Sequence, residues 1–419
     1  MKKSLAVIAA ATLLLSACSS PSEDKSTEAV ETTTAGEEIS QEPTPTDPPP
    51  IKALDSMQPM PEGGATDAEM GAVHDRSLVL AQEVVATQRD AANVWFSPAG
   101  VQMALAIAGS GASGDVDKEL SEFIGSTPEV RDAAIGKTIN YALFTASRGI
   151  HMNAVLAENS TANLPMDTEV VEATAKKWGA QHVVGNTDEV NAELETWVAA
   201  ATMGRIRDLP ETVTDQTPLT IMTALMADGD WAKACDSSTM PFNLETGSER
   251  VPAVHCTGET VSTVTNGVRV EMHTANGLRV DFFLPNEGID PADLTAKDFS
   301  EEGTPRLRDV RFPKLSLDSS LTLSEVLTEL GMPDLKDSLT GFTTDGTAVP
   351  LNLIYQRAIL ELDENGFQAT AVTQMMGVTS VKDDPTGEII EIDRPYAIRI
   401  SDSQGWTLFY GTVKDPRED

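Results

Sequence analysis

Side chains able to do chemistry are spread along this chain, and few of them stand at spacings that build an active site. Residues 109–114 read GSGASG, the G-x-G-x-x-G spacing of dinucleotide sites, but they follow a helix-patterned run instead of a strand. His255 adjoins Cys256, yet two adjacent residues supply no tetrahedral metal site. The five histidines form no H-E-x-x-H pattern; they are His74, His151, His182, His255 and His273. We therefore predict no enzyme activity, no metal and no cofactor.

The charge of the chain restricts its partners. The 419 residues include 65 Asp and Glu against 30 Lys and Arg, a formal net charge of −35. Such a chain is repelled by nucleic acid and by anionic bilayers unless a local basic patch exists, and the sequence contains no such run of Lys and Arg. We therefore predict that it does not bind nucleic acid.

The first 17 residues have the pattern of an export signal. Lys2 and Lys3 precede an apolar stretch, residues 5–15, that is too short to span a bilayer. Residues 15–18 (LSAC) resemble the bacterial lipoprotein box, which implies cleavage before Cys18 and lipid attachment to its thiol. An ordinary secretory signal is the alternative. We expect an exported protein anchored by lipid to the outer face of the bacterial cell membrane.

The three cysteines are too few for a disulfide scaffold. Beyond Cys18, the chain contains Cys235 and Cys256, separated by a turn-rich segment. Export favours a disulfide between them, which would add about 3 kcal/mol of stability. Two buried thiols remain the alternative.

Two segments follow the signal. Residues 18–65 are rich in Ser, Thr, Glu and Pro and have few large apolar side chains, so we predict a disordered tether. No composition shift divides residues 66–419, which we interpret as one domain. Helical spacing covers residues 75–86, 99–108 and 191–204, whereas period-two alternation covers 358–362, 396–400 and 406–410. Helices first and antiparallel strands later indicate an α+β fold.

Seven segments, in order, resemble motifs of the serpin family over nearly all of residues 66–416. They are 93–98 (NVWFSP), 197–209 (W-V-x-x-x-T-x-G-x-I-x-x-L), 229–231 (GDW), 283–285 (FLP), 312–315 with 327–332 (FPKL and L-x-x-L-G-M), 361–374 (the hinge) and 393–396 with 408–411 (DRPY and LFYG). The resemblance implies N-terminal helices packed on a large, mostly antiparallel main sheet, smaller sheets and an exposed reactive loop.

The resemblance also implies a function. A serpin offers its loop to a serine protease, is cleaved, and traps the acyl-enzyme while the cut loop inserts into the main sheet. Inserted positions that face inward should be small. Counting from Gly366 in the hinge, the inward set is Phe367, Ala369, Ala371, Thr373, Met375 and Gly377. Phe367 departs from the family, which prefers Thr or Ser there, and we expect a bulky ring to slow insertion.

Other residues take their roles from the resemblance. Lys314 and Glu364 match an ion pair at the top of the main sheet, near Trp231. Under the sheet the family has an Asn–His network, where this chain has Thr223 and Gln356; Ser97 is retained, but the family's following Ser is Gly100.

The reactive bond follows from counting seventeen residues from Glu364, which gives Ser380–Val381. Thr379, Lys382 and Met376 are the alternatives. Ser380 would suit an elastase- or subtilisin-like protease and Lys382 a trypsin-like one.

The charge of the domain also bears on its partners. We expect no heparin-like cofactor, since the domain is acidic. We also expect a monomer. A non-inhibitory serpin-fold binding or structural lipoprotein is the alternative function, motivated by Phe367 and the altered network.

Overall fold

The computed structural model describes residues 51–145, 149–209, 213–333, 335, 338–351, 355–368 and 389–417. They form eight α-helices, six of them before residue 202. The helices are α1 Asp67–Thr87, α2 Pro98–Ala108, α3 Gly114–Phe123, α4 Arg131–Thr145, α5 Thr168–Trp178, α6 Thr187–Ala201, α7 Ala296–Ser300 and α8 Ser324–Glu329.

Capping side chains explain where the long helices begin. Thr66 and Glu69 form a capping box that starts α1 eight residues before the predicted start. Asn186 and Glu189 do the same for α6, which starts at Thr187 instead of the predicted 191. Helix α6 ends at Ala201, and Gly204 beyond it has a φ of +83°, a conformation that favours glycine.

The described residues also form sixteen β-strands. They are β1 Asn93–Phe96, β2 Ile150–Asn159, β3 Gln181–Gly185, β4 Leu219–Ala227, β5 Gly229–Asp230, β6 Cys235–Leu244, β7 Gly247–Val264, β8 Gly267–His273, β9 Arg279–Pro285, β10 Thr304–Pro313, β11 Leu315–Thr322, β12 Tyr355–Leu362, β13 Gly366–Gln368, β14 Ile389–Glu391, β15 Tyr396–Ser401 and β16 Thr407–Val413.

These strands form three sheets. The largest has nine strands in the order β1-β16-β15-β9-β8-β7-β10-β14, with β6 paired to β7. All its pairs are antiparallel except β10 with β14. The other two sheets are β3-β2-β4 and β11-β12-β13-β5. Helices precede mostly antiparallel sheets, so the α+β prediction is confirmed.

The sheet β3-β2-β4 separates two apolar clusters. The larger cluster contains Leu156 of β2 together with the buried apolar side chains of α1 and α2. The smaller cluster contains Val155 and Ala157 of β2 together with Val190, Leu194 and Trp197 of α6. Successive side chains of a strand point to opposite faces, so α6 covers one face of this sheet and α2 the other.

Residues 51–65, here called the strap, pack on the body of the protein. Met57 is 2% exposed, and its N–H donates to the carbonyl of Met152 in β2 at 2.7 Å. The Met60 N–H donates to the carbonyl of Lys177 in α5 at 2.7 Å. The strap lies within the same compact unit as the rest of the domain, Pro50–Asp419. The structure thus describes residues 51–65 of the predicted tether in contact with the body of the protein, and the domain boundary at residue 66 stays a prediction.

The glycines of residues 109–114 are explained by packing. A Cβ on Gly109 would lie 2.6 Å from the Arg131 guanidinium, and one on Gly111 would overlap the Phe342 ring. The segment follows helix α2, so the strand that a dinucleotide site requires is not there. Within the described ranges, no helix is long and apolar enough to cross a membrane.

Candidate functional site

The two smaller sheets lie edge to edge, separated by a gap. Strands β4 and β12 border it, and over their described residues no pairing joins them. A cavity of about 370 Å³ lies in this gap, lined by β4 from Leu219 to Leu225 and by Gln356, Arg357 and Ala358 of β12. Both bordering strands therefore present backbone edges at which a further strand could pair.

The hinge strand β13 closes one end of the gap. It pairs antiparallel with β12 through Glu361↔Gln368 and Leu362↔Phe367. On its other side it pairs with β5 through Gly366↔Asp230 and Phe367↔Gly229. Strand β5 continues β4 after a single residue, Asp228. Residues 366–368 of the hinge thus already lie in the gap as a strand.

Phe367 is buried at the start of this strand, with 1% of its surface exposed. Its ring meets the Trp231 ring edge to face at 6.5 Å between centroids, and Trp231 contacts Phe312 at 5.9 Å. Trp231 also donates from its indole Nε1 to the carbonyl of Asp363 and from its backbone to that of Asn365, both at 2.9 Å. The bulky ring of Phe367, which we expected to slow insertion, is therefore accommodated by the ring of Trp231, which in turn contacts Phe312.

Lys314 and Glu364 meet at the turn before β13. The Lys314 ammonium forms an ion pair with the Glu364 carboxylate, and both side chains are less than a third exposed. The hydrogen bond from Lys314 lowers the pKa of Glu364 below its ordinary value. This pair fixes the turn that leads from β12 into the hinge.

The network under the gap is built on the Gln356 carboxamide. Its Oε1 accepts from the Ser97 N–H at 2.6 Å, and its Nε2 donates to the Ser97 carbonyl at 3.0 Å. The Ser97 hydroxyl donates to the carbonyl of Leu408 at 2.7 Å, and Thr223 Oγ1 donates to that of Gly100 at 3.1 Å. A Cβ on Gly100 would lie 3.0 Å from Gln356 Nε2, so the glycine makes room for the longer amide side chain.

Two ion pairs that the sequence analysis missed lie across the gap. Residues 202–209, here called the linker, follow α6 and line the cavity with Thr202, Ile206, Asp208 and Leu209. Arg205 Nη2 lies 3.3 Å from Glu361 Oε2, and Arg357 Nη1 lies 3.0 Å from Asp208 Oδ1. Glu361 and Arg357 belong to β12, four residues apart on one face, and only the fold brings the linker to that face.

The cysteines Cys235 and Cys256 form a disulfide between β6 and β7, where they are directly opposed.

Several predicted site residues lie outside the described residues, and their sites stay predictions. They are Cys18, Ala369, Ala371, Thr373, Met375, Met376, Gly377, Thr379, Ser380, Val381 and Lys382.

Three of the five histidines have individual hydrogen-bond partners. His74 hydrogen-bonds to Thr138 in the core at 3.2 Å, His182 contacts Glu158 at 2.6 Å, and His273 contacts Glu271 at 3.1 Å. Among the residues that the structure describes, no group of three or more His, Cys, Asp or Glu side chains is arranged to hold a metal ion.

The hinge strand β13 lies between β12 and β5, at one end of a gap between two sheet edges, and the serpin resemblance implies that a cut loop inserts into a sheet. The family model for "Serpin (serine protease inhibitor)" matches residues 72–416. The chain belongs to the serpin family. Alpha-1-antitrypsin 1-3 of Mus musculus is 23% identical over 373 residues, which cover 82% of this chain and 88% of that protein.

Solved serpin structures share the fold. Serpin48 of the insect Tenebrio molitor superposes with a TM-score of 0.69 at 19% identity, covering 84% of this chain and 99% of that one. Human thyroxine-binding globulin superposes with a TM-score of 0.68 at 19% identity, covering 83% and 98%. At these identities the likeness concerns the fold alone.

Proposed function

We propose that this serpin inhibits serine proteases by cleavage of its loop, trapping of the acyl-enzyme and insertion of the cut loop into the gap between β4 and β12. The gap is the observation that carries the proposal. Two parallel-running strand edges separated by a cavity of about 370 Å³ would each gain a ladder of hydrogen bonds from one added strand. Burial of that strand's apolar side chains would supply further free energy.

The hinge supports the direction of insertion. Because β13 has entered the gap through Gly366, Phe367 and Gln368, the residues that follow would extend it along β4 and β12. Counting on from the buried Phe367, alternate positions 369, 371 and 373 would face inward in an inserted strand, and they carry Ala, Ala and Thr. Residues 369–373 contain no charge and no proline, so the segment is suited to pairing on both edges.

The target class is inferred from the reactive bond. We infer cleavage at Ser380–Val381 by an elastase- or subtilisin-like protease. The net charge of −35 favours encounters with basic proteases, since long-range attraction raises association rates. No cofactor is required by this mechanism, and the acyl bond forms on the protease serine.

The place of action is inferred from the N-terminus. Cleavage before Cys18 and acylation of its thiol would anchor the chain, because each buried CH₂ contributes about 0.8 kcal/mol. The inhibitor would then face outward from the bacterial cell membrane as a monomer. Growth with radiolabelled palmitate tests this: label is expected in the wild type and absent from Cys18→Ala, and label in both would contradict it.

Complex formation with a protease tests the inhibitory function. The mature chain is incubated with an elastase-, a subtilisin- and a trypsin-like enzyme, and the products are separated in SDS. At least one enzyme is expected to give an SDS-stable complex of protein and protease. Cleavage of the loop by all three without any complex would contradict inhibition.

A matched pair of variants tests insertion itself. Ala371→Arg places a charge at an inward position, where burial is costly, and should convert the inhibitor into a substrate. Val372→Arg places the same charge at the neighbouring outward position and should retain the complex. Equal behaviour of the two variants would contradict the predicted alternation.

A non-inhibitory serpin-fold binding or structural protein is the second candidate. Phe367 favours it, because a ring packed against Trp231 at 6.5 Å could stop the hinge at its first buried position. This candidate predicts that loop cleavage leaves the melting temperature unchanged, since nothing further inserts.

A further inference from the structure

The linker covers the face of the gap opposite α2. Its cavity-lining side chains approach from the side of α6, whereas Val101 and Ala104 of α2 line the cavity from the other side. A strand that enters the gap places every second side chain toward the linker. The linker must therefore move away before the strand can pair along the full length of β4 and β12.

The linker is held in place from both sides of the gap. On the β12 side, the pairs Arg205–Glu361 and Arg357–Asp208 bind it. Arg357 is itself fixed by Asp318 of β11 at 2.6 Å. On the other side, α6 continues into the linker through Thr202, whose hydroxyl donates to the carbonyl of Val198 at 2.6 Å and accepts from the Ile206 N–H at 3.1 Å.

The strap makes a third attachment. Leu54 packs against the smaller apolar cluster, which contains the buried side chains of α6, and Ile206 and Leu209 of the linker pack against the same cluster. Ile51 reaches the linker itself, since a Cβ on Gly204 would lie 3.0 Å from Ile51 Cδ1. The first residues of the strap thus contact the linker through Ile51 and pack through Leu54 on the cluster that contains the buried face of α6.

The rest of the strap is fixed to elements that border neither edge of the gap. Asn140 of α4 donates to the Pro59 carbonyl at 3.0 Å, and Lys137 donates to that of Ala65. Two glycines make room for the strap: a Cβ on Gly136 would lie 2.6 Å from Pro61, and one on Gly179 would lie 2.5 Å from the backbone of Gln58. This fit makes residues 57–65 a firm base for residues 51–56.

We propose that residues 51–56 are a brace that holds the linker over the gap and sets the rate at which the cut loop inserts. These residues join the N-terminal tether to the domain. A change in the tether that moves Ile51 and Leu54 away from their contacts would therefore loosen the linker and speed insertion. This regulation rests on the proposed inhibitory function, since it acts on the insertion step.

A matched pair of variants in the full chain tests the brace. Leu54→Asp removes the apolar contact with α6, whereas Ala53→Asp adds the same charge at an exposed neighbour. Amide hydrogen exchange of residues 202–209 is measured in the uncleaved protein. Insertion is followed after rapid mixing with saturating subtilisin, through the change in tryptophan fluorescence.

The brace predicts faster exchange in the linker and insertion at least about fivefold faster for Leu54→Asp, with Ala53→Asp like the wild type. Unchanged linker exchange and unchanged insertion in Leu54→Asp would overturn the brace and leave inhibition intact. Faster exchange without any insertion signal in the wild type would instead overturn the proposed function, and with it the regulation of insertion.

Discussion

At the scale of single residues, the pairing of Gln356 with Gly100 shows how the network under the gap is rebuilt. The carboxamide offers one acceptor and one donor, and it uses them on the N–H and the carbonyl of the same residue, Ser97. Ser97 is 3% exposed, so water cannot replace these bonds. The resemblance named these positions in the sequence, but their donors and acceptors could be assigned only from the structure.

Loss of the Gln356 amide should therefore be costly. Gln356→Leu leaves the buried N–H of Ser97 without its acceptor, whereas the Ser97 carbonyl keeps the Val101 N–H as a donor at 3.2 Å. We expect the variant to lower the free energy of unfolding by about 1–3 kcal/mol. Gln216→Leu, at an exposed glutamine near the same cavity, is the control and should change it little. The measurement is urea denaturation of the uncleaved proteins, and similar effects of both variants would contradict the assigned role.

Glu364 provides a prediction about pH. Lys314 lowers the pKa of the Glu364 carboxyl in the folded protein below its ordinary value of 4.5. The ion pair therefore contributes stability that is fully present above pH 4.5 and is lost as the pH falls through the lowered, folded value.

The expected result is a difference in melting temperature between the wild type and Glu364→Gln that is constant above pH 4.5 and shrinks below it. Glu325→Gln on α8, an exposed position, serves as the control. A difference that grows as the pH falls would contradict the ion pair.

At the scale of elements, periodicity in the sequence predicted the helices and the late strands better than it predicted their ends. Strand β12 contains the predicted 358–362, and β15 contains 396–400. Helix α1 begins at Asp67 because Thr66 and Glu69 cap it, a signal readable in the sequence at the spacing of a capping box.

The strap shows why composition alone was not sufficient. It belongs to a segment, residues 18–65, whose Ser, Thr, Glu and Pro content is typical of disorder, and the strap itself has no periodicity that would mark a helix or strand. Its docking depends on Gly136 and Gly179, which lie more than seventy residues away in the chain. Likewise, the linker's ion pairs join Arg205 and Asp208 to β12, a proximity that exists only in the folded sheet arrangement.

The disulfide between β6 and β7 belongs to this scale. It closes a loop with a sequence separation of 21, which should stabilise the protein by about 3 kcal/mol through the unfolded chain. The double variant Cys235→Ala with Cys256→Ala should lose that stability in urea denaturation. A reductant should bring the wild type to the variant's midpoint and leave the variant unchanged. A wild type and variant with equal midpoints before reduction would contradict this contribution.

At the scale of the whole molecule, the negative charge and the open sheet have separate consequences. The charge of −35 argues against nucleic acid and polyanion partners but does not bear on the mechanism. The mechanism depends on the gap, whose bordering strands β4 and β12 are unpaired with one another over their described residues. A fold with such unfilled pairing should become more stable when its own loop fills it.

The melting temperature before and after cleavage of the loop tests the central claim most directly. Limited subtilisin treatment is used to cut within residues 369–388, with mass spectrometry to locate the cut. We predict a rise of at least about 10 °C in the cleaved wild type, because a strand paired on both edges adds several kcal/mol. Cleaved Ala371→Arg should show no such rise. An unchanged or lower melting temperature in the cleaved wild type would contradict loop insertion.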